Sequence, residues 1–169
     1  MKIFKYTLWI ILLFLIQTVV LNYIAPYGFR PDLILPFVAV AAIKEDTFKE
    51  STVVSVVCAV LAGALLGKNF SFCVLFYTYA GALIFNMRRH PRYMSDALRF
   101  LIWVFPAALI SEAVSYLLLY KSINWFMSAF IFHMLPTAFI TTAVGMAIYF
   151  IVSRTLFGRK KIIGRLITK

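Results

Sequence analysis

Long apolar stretches separated by short charged connectors set the pattern of this chain. Five stretches, at 7–25, 51–67, 70–87, 97–120 and 125–153, reach or approach the roughly 20 apolar residues a helix needs to cross a bilayer. A sixth, 33–43, supplies only about 16 Å of helix at 1.5 Å per residue. It crosses only if the helix runs on through the charged segment 44–50. The expectation is an all-α integral membrane protein with six transmembrane helices, at about 7–25, 32–48, 51–67, 70–87, 97–120 and 125–153. Residues 1–153 read as one membrane domain and 154–169 as a basic cytoplasmic tail. The tight turn around Gly67 and Asn69 predicts an antiparallel hairpin between the third and fourth helices. No internal repeat or low-complexity linker interrupts the pattern.

Charge placement orients these spans. The chain is 63% hydrophobic and 14% charged, with a net charge of +11. Its acidic residues are Asp32, Glu45, Asp46, Glu50, Asp96 and Glu112, and only Glu112 lies deep in an apolar run. With six spans and the N-terminus inside, 14 of the 17 Lys and Arg residues are cytoplasmic, and only Arg30, Lys68 and Lys121 lie outside. That bias follows the positive-inside rule. The rival arrangement has five spans, with 33–43 re-entrant and the N-terminus outside. Lys2, Lys5, Lys68 and Lys121 are then external. Six spans are preferred because re-entrant backbone must be buried in protein or line a cavity, and a chain this small has little protein to spare. The expected arrangement is a multi-pass membrane protein with both termini cytoplasmic.

The first apolar stretch is too long for a signal-peptide core, and no small-x-small cleavage site follows it, so it reads as a retained anchor. The basic residues flank the spans, which points to anionic lipid and not to nucleic acid. Arg88, Arg89, Arg92, Arg159, Lys160 and Lys161 are the lipid-facing candidates. The tail reads as a stop-transfer flank, with the alternative that it lies on the inner leaflet. Cys58 and Cys73 both fall in apolar runs, and their spacing suggests neither a disulfide nor zinc.

Three features carry candidate function. Arg30, Pro31 and Asp32 precede the short segment. Proline at a helix start and an acid in the first turn make a helix-start signal, and the functional alternative is an anchoring pair at the membrane edge. Ser55, Ala59, Gly63 and Gly67 recur every four residues on one helix face. Small residues at that spacing let helices approach closely, as an internal seam or a partner-docking face. Glu112 and His133 each lie eight residues from the connector between the last two spans, about 12 Å of helix. They are therefore expected at matching depth, as a structural bond, a proton relay or a ligand contact. Pro106 and Pro136 are expected to kink these two helices. No metalloprotease, hydrolase or phosphate-loop motif is present, so neither an enzyme nor a bound cofactor is expected.

The segment FRPDLIL (29–35) resembles the R-P-[DN]-hydrophobic motif that follows the first helix of the MreD family of bacterial rod shape-determining proteins. A short second helix and a charged connector follow it. Ala59, Gly63 and the apolar residues after them resemble that family's G-F-x-x-G-x-x-x-D helix, with Ala59 in place of the first glycine and Gly67 in place of the acid. The resemblance covers about a third of the chain, within 28–86. It implies a non-catalytic scaffold of the cell-elongation, peptidoglycan-synthesising machinery, located in the bacterial inner (plasma) membrane. The implied partners are MreC, the glycosyltransferase RodA with a class B penicillin-binding protein, and MreB indirectly. The implied fold is similar to the six-helix substrate-binding subunit of energy-coupling-factor vitamin transporters. Such a vitamin-binding subunit is the alternative function, with Glu112, His133, Asn22 and Gln17 as possible pocket residues. A third reading is a proton-coupled carrier that uses Glu112.

Overall fold

A computed structural model describes residues 2–20, 31–65, 70–88, 94–120 and 126–157. The described residues are helical apart from short turns, with no strand among them. Helix α1 covers Lys2–Leu15 and continues as a wide turn over Ile16–Val20. Then follow α2 (Ile34–Lys44), α3 (Phe48–Leu65), α4 (Phe70–Met87) and α5 (Asp96–Tyr120). Last comes α6 (Phe126–Phe157), with a wide turn at Phe130–Met134. Three helices, α4, α5 and α6, are long and apolar enough to cross a membrane, and the apolar stretches Phe4–Val19 and Ile34–Lys44 are shorter.

The surface is apolar and the interior holds much of the polarity. Leu75, Tyr79 and Phe132 are 72%, 72% and 75% exposed. Gln17, Asp32, Glu45, Ser55, Ser111, Thr137 and Thr141 are buried. Large apolar patches are a liability in water. In hydrocarbon they face a matching solvent, and internal hydroxyls and amides bond helix to helix.

Helix α2 is the centre of the bundle. It packs against α3, α4, α5 and α6, and every residue from Pro31 to Ile43 is buried. An evenly apolar helix such as ILPFVAVAAIK has no solvated face and belongs inside. Pro36 is tolerated because it lies in the first turn, where backbone N–H groups lack intrahelical acceptors. The expected helix over 32–48 is shorter than anticipated. Glu45 turns to extended backbone (ψ 143°), and a separate helix begins at Phe48. The chain proves to have protein enough to enclose an 11-residue helix on all sides.

Close approach to α2 and α4 depends on missing side chains. A Cβ on Gly145 of α6 would lie 2.8 Å from Cγ of Pro36 and 2.9 Å from its Cβ. One on Gly81 of α4 would lie 2.9 Å from Cβ of Ser55 and 3.1 Å from Cγ1 of Val38. The two expected kink sites behave differently. Pro106 sits inside a continuous α5. Pro136 follows the wide turn, where the Leu135 N–H donates to the carbonyl of Phe130 five residues back. Inserting a wide turn is a known way for a helix to absorb a disrupted hydrogen-bond ladder.

Candidate functional site: a buried polar node and a charged end

The chain enters α2 through Pro31, Asp32 and Leu33, which carry backbone groups that no helix satisfies. Gln17, on the wide turn after α1, serves two of them. Its Nε2 donates to the Pro31 carbonyl at 3.0 Å, and its Oε1 accepts from the Leu33 N–H at 2.7 Å. These partners, one acceptor and one donor, fix which way round the amide sits. The Asp32 N–H donates to Oγ1 of Thr141 on α6 at 3.1 Å. Asp32 Oδ1 accepts from the N–H groups of Ile34 and Leu35 at 3.0 and 3.3 Å, capping α2. Its Oδ2 accepts from the hydroxyl of Tyr77 on α4. Asp32 thus joins α2, α4 and α6, and Gln17 ties the wide turn after α1 to the residues on either side of it.

This node lies deep. Tyr77 is the eighth of the 18 residues of α4, and Thr141 is the sixteenth of the 32 residues in Phe126–Phe157. Asp32 is therefore near mid-height of both helices, and it is 3% exposed. A membrane-edge position does not describe it. A carboxylate at this depth requires bonds to every available donor, and helix-start N–H groups are among the best of these because the helix dipole adds to them. Cys58 is buried within electrostatic range of Asp32, and Glu112 within range of Tyr77. Arg30 lies outside the described residues.

The opposite end of α2 is held by charge. The Arg88 guanidinium donates to the carbonyls of Ala42 (3.4 Å), Glu45 and Asp46 (3.1 Å). It also stacks 3.8 Å from the Phe85 ring centroid. A cation over helix C-terminal carbonyls meets the negative end of the dipole. Arg88 is thus turned inward onto α2, a correction to its lipid-facing assignment. Arg89, Arg92, Arg159, Lys160 and Lys161 fall outside the described residues. Tyr6 donates its hydroxyl to Glu45 Oε1, tying α1 to the same turn. Lys44 Nζ bonds Asp96 Oδ2 at 2.8 Å and lies 5.3 Å from the Tyr149 ring centroid, and Arg99 joins Asp96 at 3.3 Å.

The remaining candidates are placed as follows. Ser55, Ala59 and Gly63 are buried on α3. Ser55 meets α4 at Gly81, and a Cβ on Gly63 would lie 3.1 Å from the backbone of Phe70. Gly67 lies outside the described residues. Glu112 is half-buried on α5, and His133 is exposed on the wide turn of α6 that packs against α5. Among the described residues, no three His, Cys, Asp or Glu side chains gather as a metal site.

Sequence reasoning missed Tyr77, Tyr6 and the Lys44–Asp96 pair. The available signal was a tyrosine in the middle of an apolar run, which when buried needs a partner for its hydroxyl. It offered Gln17 as a possible pocket residue under the alternative function, whereas its amide is engaged with the backbone of Pro31 and Leu33. Compared with known proteins, the chain matches no family model, no curated protein and no solved structure.

Proposed function

We propose that the protein is a multi-span membrane scaffold of the bacterial cell-elongation machinery, with α2 enclosed by the other helices and not itself crossing, MreC as its direct partner, and RodA and its penicillin-binding protein as the synthases it positions. The observation that carries this reading is the role of Asp32. It belongs to the FRPDLIL segment on which the MreD resemblance rests, and it bonds helices α2, α4 and α6 into one unit, with its neighbours Pro31 and Leu33 held by Gln17 from the turn after α1. A short motif at the structural centre of the fold suits a protein whose task is to present a rigid shape. The polar groups around it are engaged with backbone and with one another, as a rigid hub requires.

The vitamin-binding alternative draws less support. Gln17 is occupied by Pro31 and Leu33, and His133 is exposed while Glu112 is half-buried. A small-molecule site needs convergent polar groups in an apolar cavity. Depletion of the protein from a rod-shaped host tests the scaffold reading. Cells are expected to round up over a few generations. Unchanged rods, in a host with no second copy, would overturn it.

A further inference from the structure

The outer side of the seam between α5 and α6 carries a groove of about 520 Å³. Ile102, Phe105 and Pro106 form one wall, and Phe139, Thr142 and Ala143 the other. Ile102, Pro106, Phe139 and Ala143 are exposed, so the groove opens sideways from the bundle. The hydroxyl of Thr142 is turned to the Ala138 carbonyl at 2.7 Å, leaving an apolar trough. In a bilayer such a trough opens onto hydrocarbon and accepts a chain, not a polar solute.

Length and charge point to the occupant. Eleven residues are three helical turns plus about 20°, so Arg154 lies on nearly the same line of α6 as Ala143, about 16 Å nearer the helix end. Arg154 is exposed. Half of a bilayer core of about 30 Å is about 15 Å. A cation therefore stands one leaflet away from the groove, on the same stripe of the surface. The rings of Phe100 on α5 and Tyr149 on α6 lie 5.1 Å apart, one turn or so from Asp96 and Arg154, so the charged end with Lys44 and Arg99 around Asp96 is near this level too. In sequence, Arg159, Lys160 and Lys161 follow Arg154 within seven residues.

We propose that the α5–α6 groove holds an acyl chain of an anionic phospholipid whose phosphate meets Arg154. This rests on the membrane-spanning reading alone and is independent of any role in cell elongation. The chain enters from the leaflet at the Arg154 end and lies between Pro106 and Ala143. Pro106 supplies a wall without a backbone N–H, and Ala143 supplies the space.

The test uses the full chain in a mild detergent, loaded with phosphatidylglycerol or phosphatidylcholine of equal chain length and read by native mass spectrometry. Phosphatidylglycerol should be retained in preference to phosphatidylcholine. Arg154→Gln should lower phosphatidylglycerol retention about fivefold, the weight of one cation at an anionic surface, and lower phosphatidylcholine, whose quaternary ammonium offsets its phosphate, by less. Ala143→Trp fills the groove and should lower retention of both lipids. Ile102→Trp fills it from the other wall and should repeat the effect, so the proposal does not hang on the folding of one variant. Equal retention of the two lipids by the unaltered protein would overturn the proposal. So would wild-type retention in both groove-filling variants. Loss of a dimer or of a bound protein in those variants, with lipid retention unchanged, would give the groove to a protein and also overturn it.

Discussion

Replacing Asp32 by alanine should destabilise the bundle by about 2–4 kcal/mol. The loss has two parts. The cap on α2, made by Oδ1 to the Ile34 and Leu35 N–H groups, is worth about 1 kcal/mol. The Tyr77 hydroxyl, on a residue 0% exposed, then loses its acceptor, which costs about 1–3 kcal/mol. Asp32→Asn keeps an oxygen for the two N–H groups and requires only that the bond with Tyr77 reverse, so its cost should be about 1 kcal/mol. Tyr77→Phe measured alone and on the Asp32→Ala background isolates the pair. If the hydroxyl serves Asp32, the second measurement should show a much smaller loss than the first, with a coupling of at least about 0.5 kcal/mol. The assay is unfolding in mixed micelles with rising SDS, followed by far-UV circular dichroism. Asp32→Ala within about 0.5 kcal/mol of the unaltered protein, or additive effects of the two substitutions, would refute the reasoning.

Other substitutions probe other joints of the same structure. Gly145→Ala drives a methyl group into the Pro36 ring and should cost about 1–3 kcal/mol in the same assay; a neutral result would mean that α6 and α2 are not so close. Arg88→Ala removes the donor to the Ala42, Glu45 and Asp46 carbonyls and should cost about 2 kcal/mol. Arg88→Lys should restore less than half of that, because an ammonium lacks the planar fork that spans them, and full restoration would count against the cap. Cys58 and Cys73 are 1% and 0% exposed; a maleimide should label neither in mild detergent and both after SDS denaturation. Rapid labelling of either in the folded protein would contradict the packing of α3 and α4.

The parts of this fold written plainly in the sequence are those that meet lipid. The apolar run 70–87 coincides with α4, and 97–120 with α5 to within one residue, because a helix surface in hydrocarbon must be apolar for its whole length. Helix α2 is read less well for the same physical reason. Its residues are apolar all round, so they mark burial but carry no phase and no stop, and the end at Glu45 is set by Arg88 and Tyr6 from other helices. Asp32 as a helix starter is local chemistry and legible from Pro31 and Leu33 beside it. Its partners are not: Tyr77 is 45 residues away and Thr141 is 109. Arg88 shows the limit from the other side. A basic residue at the end of an apolar run looks like a membrane flank, and only the folded chain brings three carbonyls under it. Pro136 announces a disturbance in α6, but a smooth kink and a wide turn answer the same missing N–H equally well, so the sequence does not choose between them.

The central claim is that this chain is a membrane hub for cell-wall synthesis. It is tested most directly by recovering the tagged protein from its native membrane in mild detergent and identifying proteins and small molecules together by mass spectrometry. The account predicts co-recovery of MreC, with RodA and its penicillin-binding protein in lesser amount. Recovery of paired ATPases with a bound vitamin would contradict it.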